Sequence, residues 1–394
     1  MAAPIALIAF AEALAAPESA WSLADAGFSV HVLARKGRRA AVRHSKYVVI
    51  HEVTAPEDDC SATYAEIERL LTTLQAPRSG RCVTLPLDDA AVWVFSRQAE
   101  TPRWVFAGPR GAAADFALDK PLQIEAALAA GMNVPRTSIA YAPKDVLTRA
   151  SELPLVLRPA KAVASSADRL HRGRSWICGT EGELATALTE WSGSDPVLVQ
   201  PYIRGTGEGV FGLATADGIR AWSAHRRVRM MNPHGSGASA CESQSVPDQV
   251  RDKIEGLVRQ VKWRGLFMVE FLRDCAGLHW FVEFNGRAWG SMALARFQHL
   301  EYPAWAAKMA LAQDCDTSGS RAVGIRCRSV ARDILHLLFL ARGPRSAAVA
   351  DWPSFWKTAY AIVRERDHMY NWRRNDQGVF WADLLYSLLI VWGR

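Results

Sequence analysis

Cysteine is scarce and irregularly placed in this chain of 394 residues. The seven cysteines include no C-x-x-C pair, and no histidine lies at zinc-ligand spacing from them. A structural zinc site is therefore not expected. An odd number of scattered cysteines is typical of a reduced protein, so we expect a cytoplasmic location.

Long apolar runs are also missing. No run reaches the roughly 18 to 20 residues needed to cross a bilayer. The longest candidate, "VFWADLLYSLLIVW", is shorter and contains Asp383. The apolar start "IALIAF" has no basic n-region before it, which favours a buried first strand over a signal peptide. We therefore predict no transmembrane segment.

The sequence contains no concentrated run of charges of one sign. The 47 basic and 40 acidic residues give a net charge of +7 that is spread along the chain. No basic and aromatic motif favours a nucleic-acid partner, and none is expected. A modest positive charge suits an anionic ligand such as a nucleotide.

The first predicted β-α connection, "AEALAAPES", contains no glycine. The dinucleotide-binding fingerprint is therefore absent, and a nicotinamide cofactor is not expected. Residues 1–118 alternate strand and helix patterns. "IALIAF", "FSVHVLAR", "RCVTLP" and "AVWVFS" are predicted strands, and "TYAEIERLLTTL" is a predicted helix. Such alternation predicts a parallel α/β domain.

Residues 119–315 have an α+β pattern. Near residues 119–137 a helical segment ends before Pro135, and predicted antiparallel strands follow. "VFGLATADG" and "IRAWSAHRRVRMM" form one predicted pair, with a turn at Asp217-Gly218. "GLFMVEFLRD" and "LHWFVEFNGRA" form another, with a turn near Ala276-Gly277. Residues 316–394 are predicted to be a helical extension.

The second of these hairpins carries the clearest chemical pattern. Glu283, Asn285 and Arg287 occupy alternate positions of one strand and so project from one face. Glu270, on the other strand, could lie beside Glu283. Two close carboxylates need a cation between them, and oxygen donors from Glu270, Glu283 and Asn285 suit Mg²⁺. Arg287 could hold a phosphoryl oxygen or a reacting carboxylate, although a solvated charged strand remains an alternative.

Five motifs occur in an order that resembles the ATP-grasp superfamily. They are "DK" before a helix, a P-x-x-x-R-P strand, "VLVQPYIRG", the glutamate of the preceding strand, and E-x-N-G-R. The match covers about residues 119 to 295 and is nearest to the carbamoyl-phosphate-synthase-like carboxylate-amine ligases. It implies a pre-ATP-grasp domain at 1–118, a two-subdomain ATP-grasp domain at 119–315 with a lid at about 136–195, and the extension.

The resemblance also implies roles for single residues. Those implied to bind the nucleotide are Lys120, Arg158, Lys161, Gln200, Pro201, Tyr202, Ile203 and Glu208. Lys120 would contact phosphates, residues 200–203 would read adenine, and Glu208 would hold the ribose. Arg158 stands where the family usually has lysine, and Lys161 could substitute for it. Arg287 and Arg229 are the implied catalytic residues, with Arg227 a weaker candidate.

The implied reaction joins a small-molecule carboxylate to an amine, with ATP and Mg²⁺ as cofactors and Mn²⁺ as an alternative ion. The carboxylate would form an acyl phosphate, which the amine would convert to an amide, releasing ADP and phosphate. A non-catalytic nucleotide-binding or regulatory protein, and a carboxylase or kinase, remain as alternatives. A homodimer is compatible with the sequence.

Two segments carry further expectations. The polar loop at residues 164–174 is predicted to belong to a closing lid. The tryptophan-rich extension could dock on a membrane or a lipid-linked acceptor, or pack on the body of the protein or on a second subunit. We favour packing, because Leu384, Leu385, Leu388 and Leu389 would otherwise leave an apolar patch in water.

Overall fold

The computed structural model describes residues 3–74, 81–149, 153–191, 193, 195–235, 237–318, 322–349 and 351–392. These residues form a parallel sheet of five strands, an antiparallel sheet of four strands, a mainly antiparallel sheet of seven strands, a small hairpin and the helices that cover them. The predicted mixture of α/β and α+β structure is confirmed. None of the helices described has both the length and the apolar character needed to span a membrane.

The N-terminal part forms a parallel five-stranded sheet. Its elements are β1 (Ile5–Ala9), α1 (Ala16–Asp25), β2 (Ser29–Arg35), a 3₁₀ helix (Ala41–His44), β3 (Val48–Val53), α2 (Cys60–Leu74), β4 (Cys82–Pro86), α3 (Asp89–Phe95), β5 (Trp104–Phe106) and α4 (Ala112–Leu118). The strand order is β3-β2-β1-β4-β5, so the direction of winding reverses between β1 and β4. The carboxyl ends of strands at such a reversal commonly form a ligand-binding crevice.

The prediction that "AVWVFS" is a strand is wrong, because these residues lie in and at the end of α3. The apolar and aromatic side chains resemble a strand locally. However, Asp88 precedes the helix, and its side chain accepts a hydrogen bond from the backbone N–H of Ala91. This N-cap satisfies a backbone donor and starts the helix.

The next segment forms a four-stranded antiparallel sheet and a separate small hairpin. Its elements are α5 (Lys120–Ala129), β6 (Ser138–Ala140), α6 (Pro143–Arg149), β7 (Leu155–Pro159), β8 (Ala164–Ser166), β9 (Arg169–His171), β10 (Trp176–Cys178), α7 (Glu181–Trp191) and β11 (Val197–Pro201). The sheet order is β10-β7-β11-β6, and β8 pairs only with β9. The sheet has its own core, which includes Leu157, Leu188 and Trp191. The predicted lid corresponds to β6 through α7.

The rest of the chain builds a seven-stranded sheet. Its elements are β12 (Thr206–Thr215), β13 (Gly218–Met230), β14 (Ala238–Gln244), α8 (Asp248–Gln260), β15 (Gly265–Arg273), β16 (His279–Asn285), α9 (Met292–Phe297), α10 (Tyr302–Ala310), β17 (Arg326–Arg328), α11 (Val330–Arg342), α12 (Phe355–Arg364), β18 (His368–Met369) and α13 (Gly378–Trp392). The order is β16-β15-β12-β13-β14-β17-β18. The predicted turns at Asp217-Gly218 and Ala276-Gly277 connect β12 to β13 and β15 to β16, and both glycines have positive φ.

The C-terminal extension is more than helical. In addition to α11, α12 and α13, it supplies β17 and β18, which extend the seven-stranded sheet beyond β14. Cys327 of β17 pairs with Cys241 of β14 on one side and with His368 of β18 on the other. These strands are too short to show a hydrophobic alternation, so the sequence pattern did not predict them.

One hydrophobic core joins the parallel sheet to the seven-stranded sheet. It contains Ile8 and Val32 from the first sheet and Phe211, Leu266 and Trp289 from the second sheet and the segment after it. This packing places the carboxyl ends of β1 and β4 close to the residues that follow β16.

Candidate active site

The alternating polar residues on β15 and β16 form a connected row. Glu270 lies directly opposite Glu283 in the strand pairing. The Asn285 amide donates to the Glu283 carboxylate over 3.1 Å, and the Arg287 guanidinium donates to the Asn285 carbonyl oxygen over 3.0 Å. The sequence placed these four side chains together, and the structure does the same. We call Glu270, Glu283, Asn285 and Arg287 the carboxylate row.

Basic side chains from the preceding segment meet this row. Arg158, on β7, forms a 3.1 Å ion pair with Glu283 and also donates to the Val282 carbonyl. Lys120 lies at the start of α5, which Asp119 caps. Burial of Glu283 opposes its ionisation, but the charges of Arg158 and Lys120 hold its pKa below the usual value. Burial lowers the pKa of Lys120, and the nearby Glu283 opposes that effect.

Asp89, which the sequence did not single out, anchors the far end of the row. It begins α3, just beyond the carboxyl end of β4. Its carboxylate accepts from the Arg287 Nε over 2.6 Å and lies 3.3 Å from the guanidinium of Arg172. Burial would raise the pKa of Asp89, but Arg287 and Arg172 outweigh it and lower that pKa to about 2. The sequence feature that could have identified Asp89 is a pair of acidic residues directly after a predicted parallel strand.

Arg227 and Arg229 have different partners. Arg227 forms a 2.7 Å ion pair with Glu270 of the carboxylate row. Arg229 is held instead by Asp333 of α11 and by Glu365 just after α12, each at 2.8 Å. A register irregularity between the two arginines interrupts the simple alternation that grouped them. The structure therefore brings Arg227 to the carboxylate row and Arg229 to acidic residues of the extension, and the predicted contact of Arg229 with the phosphoryl group stays a prediction.

Glu208 also lies away from the row. Its carboxylate is 2% exposed and pairs with Arg273 at 2.7 Å and His279 at 3.0 Å. Gly209, not Glu208, is the register partner of Glu270. Successive strand residues point to opposite faces, so Glu208 projects away from Glu270. The structure thus gives Glu208 a buried pairing role with Arg273 and His279, and its predicted contact with the ribose stays a prediction.

The predicted adenine-binding segment connects two sheets. Gln200 and Pro201 end β11, and Tyr202 and Ile203 begin the link to β12. The Gln200 side chain donates to Thr137 over 2.8 Å, and the Tyr202 backbone N–H donates to the Pro154 carbonyl over 3.0 Å. The segment therefore lies at the junction of the four-stranded and seven-stranded sheets.

Lys161 follows β7, where its backbone forms a bridge with Asp119. Its side chain is exposed. Lys120 is partly buried and lies near Glu283. Of these two lysines, Lys120 is thus the one that the structure places at the carboxylate row.

The oxygen donors of the carboxylate row fit Mg²⁺ chemically. Glu270, Glu283 and Asn285 offer two carboxylates and an amide oxygen, which are hard ligands that leave positions for water or phosphate. The described part of the chain contains no cluster of three or more His, Cys, Asp or Glu residues suited to a metal ion. The third donor in this row is an amide, so the donor set is consistent with that finding. Arg158 and Arg227 neutralise the two carboxylates here.

A cavity of about 90 Å³ adjoins the row. Its lining includes Glu270, Asn285 and Arg287 of the row, together with Arg332 of α11 and Tyr370, which follows β18. The C-terminal extension therefore supplies part of the wall of the candidate active site.

The fold is similar to those of several solved enzymes. An N5-carboxyaminoimidazole ribonucleotide synthetase from Thermus thermophilus superposes with a TM-score of 0.59 at 14% identity, covering 82% of this chain and 81% of that one. The biotin carboxylase domain of a Hydrogenobacter thermophilus 2-oxoglutarate carboxylase, complexed with MgADP and bicarbonate, gives 0.60 at 16%, covering 82% and 73%. An L-amino acid ligase from Bacillus licheniformis gives 0.54 at 14%, covering 78% and 74%.

The sequence itself matches no family model and no curated protein. The solved structures are ATP-grasp proteins, and the similarity extends over most of this chain. At this low sequence identity, the structural similarity is evidence of the fold alone. The chain has the ATP-grasp fold.

Proposed function

We propose that the protein is an ATP-dependent carboxylate-amine ligase that activates its acid as an acyl phosphate. The observation that carries the proposal is the carboxylate row, with its opposed carboxylates surrounded by Lys120, Arg158 and Arg227. Alternating acidic and basic groups at the junction of two sheets suit the binding and transfer of a phosphoryl group. The similarity to an L-amino acid ligase supports an amine acceptor.

Each group has a defined task in this proposal. Lys120 and Arg158 would hold the nucleotide phosphates, and the backbone of residues 200–203 would hold the adenine. Arg287, oriented by Asp89, would hold the reacting carboxylate or the transferred phosphoryl group. Bound at Glu270, Glu283 and Asn285, Mg²⁺ would neutralise charge on the phosphate oxygens.

The proposed bond changes occur in two steps. A carboxylate oxygen of the acid attacks the γ-phosphorus of ATP, and the bond to the bridging oxygen breaks to release ADP. The amine then attacks the acyl carbon, phosphate leaves with the electron pair, and the amine loses a proton. Water must be excluded between these steps. In this proposal the sheet and hairpin of the predicted lid would exclude it.

The proposal can be tested by measuring ADP release from ATP with Mg²⁺ and pools of carboxylic acids, with amino acids or hydroxylamine as the acceptor. Hydroxamate formation would report the acyl phosphate. We expect Glu283→Gln to reduce ADP release at least about 100-fold in a folded protein, because it removes a charge while preserving shape. The matched control is Glu242→Gln, on β14, which removes the carboxylate paired with the exposed Arg226 of β13.

Two results would contradict the proposal. One is an undiminished rate in folded Glu283→Gln protein. The other is ADP release that depends on bicarbonate and gives no hydroxamate with any organic acid, which would favour a carboxylase.

A further inference from the structure

The cavity beside the carboxylate row contains an arginine, Arg332, that forms no ion pair within the described residues, although Asp383 lies near enough to raise its pKa slightly. Three arginines line the cavity: Arg227, Arg287 and Arg332. Arg227 is paired with Glu270, and Arg287 with Asp89. Arg332 forms no ion pair within the described part of the chain, and its guanidinium donates to the backbone carbonyl of Ala238 over 3.1 Å.

Burial makes the charged form of Arg332 energetically unfavourable. Burial is the largest influence and holds the pKa of Arg332 below its ordinary value, whereas acidic partners raise the pKa of Arg227 and Arg287. An arginine remains charged at neutral pH even so. A partly buried guanidinium without a carboxylate partner is destabilising unless a ligand supplies the anion.

Two further polar groups line the same cavity, and neither the Tyr370 hydroxyl, which lies against the Cys241 thiol, nor the His225 Nε2 has an oxygen or nitrogen partner among the described residues. Both atoms are buried, although the Nδ1 atom of His225 contacts the Ser291 hydroxyl at 2.9 Å. Burial lowers the pKa of His225 to about 3, so the ring is neutral. Buried polar atoms in folded proteins are nearly always satisfied, so these two indicate a polar occupant.

We infer that this cavity binds a small acid with two anionic groups, one at Arg287 beside the carboxylate row and the other at Arg332 and Tyr370. The inference rests on the proposed function for the identity of the reacting group. A carboxylate is the second group that best fits a guanidinium, because two parallel N–H donors match its two oxygens. The volume of about 90 Å³ is well below the roughly 300 Å³ of drug-sized pockets, which restricts the acid to a few carbon atoms.

The test is calorimetric titration of the full-length protein with succinate and glutarate, with butyrate as the single-charge comparison and 3-phosphonopropionate as the phosphate-like one. We expect the dicarboxylates to bind at least tenfold more tightly than butyrate. Arg332→Gln should remove that preference, and Tyr370→Phe should weaken it about threefold. Arg342→Gln, at the exposed end of the same helix, should bind like the wild type.

Butyrate binding is expected to be the same in all four proteins. Arg332→Lys should retain part of the preference, and it serves as the folded variant if Arg332→Gln does not fold. Equal affinity for butyrate and the dicarboxylates in the wild type would overturn the inference, as would an unchanged preference in the Arg332 variants. Tighter binding of the phosphonate than of either dicarboxylate would overturn the choice of a carboxylate.

The titration separates this inference from the proposed function because it needs no turnover. Arg332-dependent dicarboxylate binding without any ADP release would support the cavity assignment and contradict the ligase. Turnover with butyrate as fast as with succinate would support the ligase and contradict the assignment.

Discussion

At the scale of single residues, Asp89 connects the N-terminal sheet to the carboxylate row. It fixes Arg287 through a 2.6 Å contact. We predict that Asp89→Asn lowers kcat for ADP release about 100-fold, since a small displacement of a charged contact has effects of that size. Steady-state kinetics would show this. Asp115→Asn, at an exposed position of α4, is the control and should remain active.

The pH dependence of this variant is a second check. The lowered pKa of Asp89, about 2 in the folded protein, means that its ionised form stabilises the fold fully above the ordinary value of about 3.9. That stabilisation is lost as the pH falls towards 2. The difference in unfolding free energy between the wild type and Asp89→Asn should therefore be constant between pH 5 and 8. A difference that changes across this range would contradict the pairing.

Prediction from sequence succeeded for residues whose relation is local. Glu283, Asn285 and Arg287 share a face because strand side chains alternate, and a short turn brings Glu270 beside them. It did not reveal the partners of Arg229, because Asp333 and Glu365 lie more than 100 residues away in the sequence. No local pattern reports such partners.

At the scale of elements, the β8–β9 hairpin is docked on the N-terminal sheet and its helices. Leu170 is 2% exposed in their core, and its backbone N–H donates to Pro56 over 2.8 Å. The backbone N–H of Cys60 donates to Asp168 over the same distance. These contacts hold the β8–β9 hairpin against the domain that carries Asp89.

We predict that Leu170→Ser releases this hairpin, because it removes the buried apolar anchor. Trypsin should then cut faster at the exposed Arg169 and Arg172, and KM for ATP should rise several-fold. Mg²⁺ with a non-hydrolysable ATP analogue should slow the cleavage in both proteins. Ser165→Ala, on the exposed part of the same hairpin, is the control. Cleavage that neither the substitution nor the nucleotide alters would show that residues 164–174 are not a lid.

Elements were predictable where apolar periodicity and turn residues agreed. The β15–β16 hairpin has alternating strands and Gly277 at a positive-φ turn. Helix α3 was missed because an N-cap outweighed a strand-like composition, and β17 and β18 were missed because three-residue and two-residue strands carry no period.

At the scale of the whole molecule, the extension closes onto the first helix of the chain. The Asp376 carboxylate accepts hydrogen bonds from the Trp21 indole at 2.7 Å and the Ser45 hydroxyl at 2.5 Å. Deleting residues 376–394, of which 393 and 394 lie outside the described residues, leaves these buried donors unpaired. We predict insoluble protein or a melting temperature lowered by more than about 5 °C, measured by thermal unfolding.

Packing leaves two of the leucines of α13 exposed, contrary to the expectation from the sequence. Val379, Phe380 and Ala382 are the buried positions, whereas Leu385 and Leu389 are exposed. Helix α12 has no buried residue, and Trp356 on it is 80% exposed. The deletion test therefore includes sedimentation of the full-length protein with anionic vesicles. The control is Trp356→Ser, which removes the exposed aromatic ring of α12. A soluble, active truncated protein beside a full-length form that sediments would reverse the preference for packing.

The distribution of the site along the chain sets the order in which it can assemble during synthesis. Asp89 emerges from the ribosome first, Arg287 much later, and Tyr370 later still. A nascent chain that folds from its N-terminus can complete the parallel sheet while the wall around Arg332 and Tyr370 does not yet exist. Premature termination before residue 370 would therefore produce a polypeptide that has the parallel sheet and the carboxylate row but lacks the part of the cavity lining that Tyr370 supplies. The complete lining of this cavity thus requires translation through residue 370.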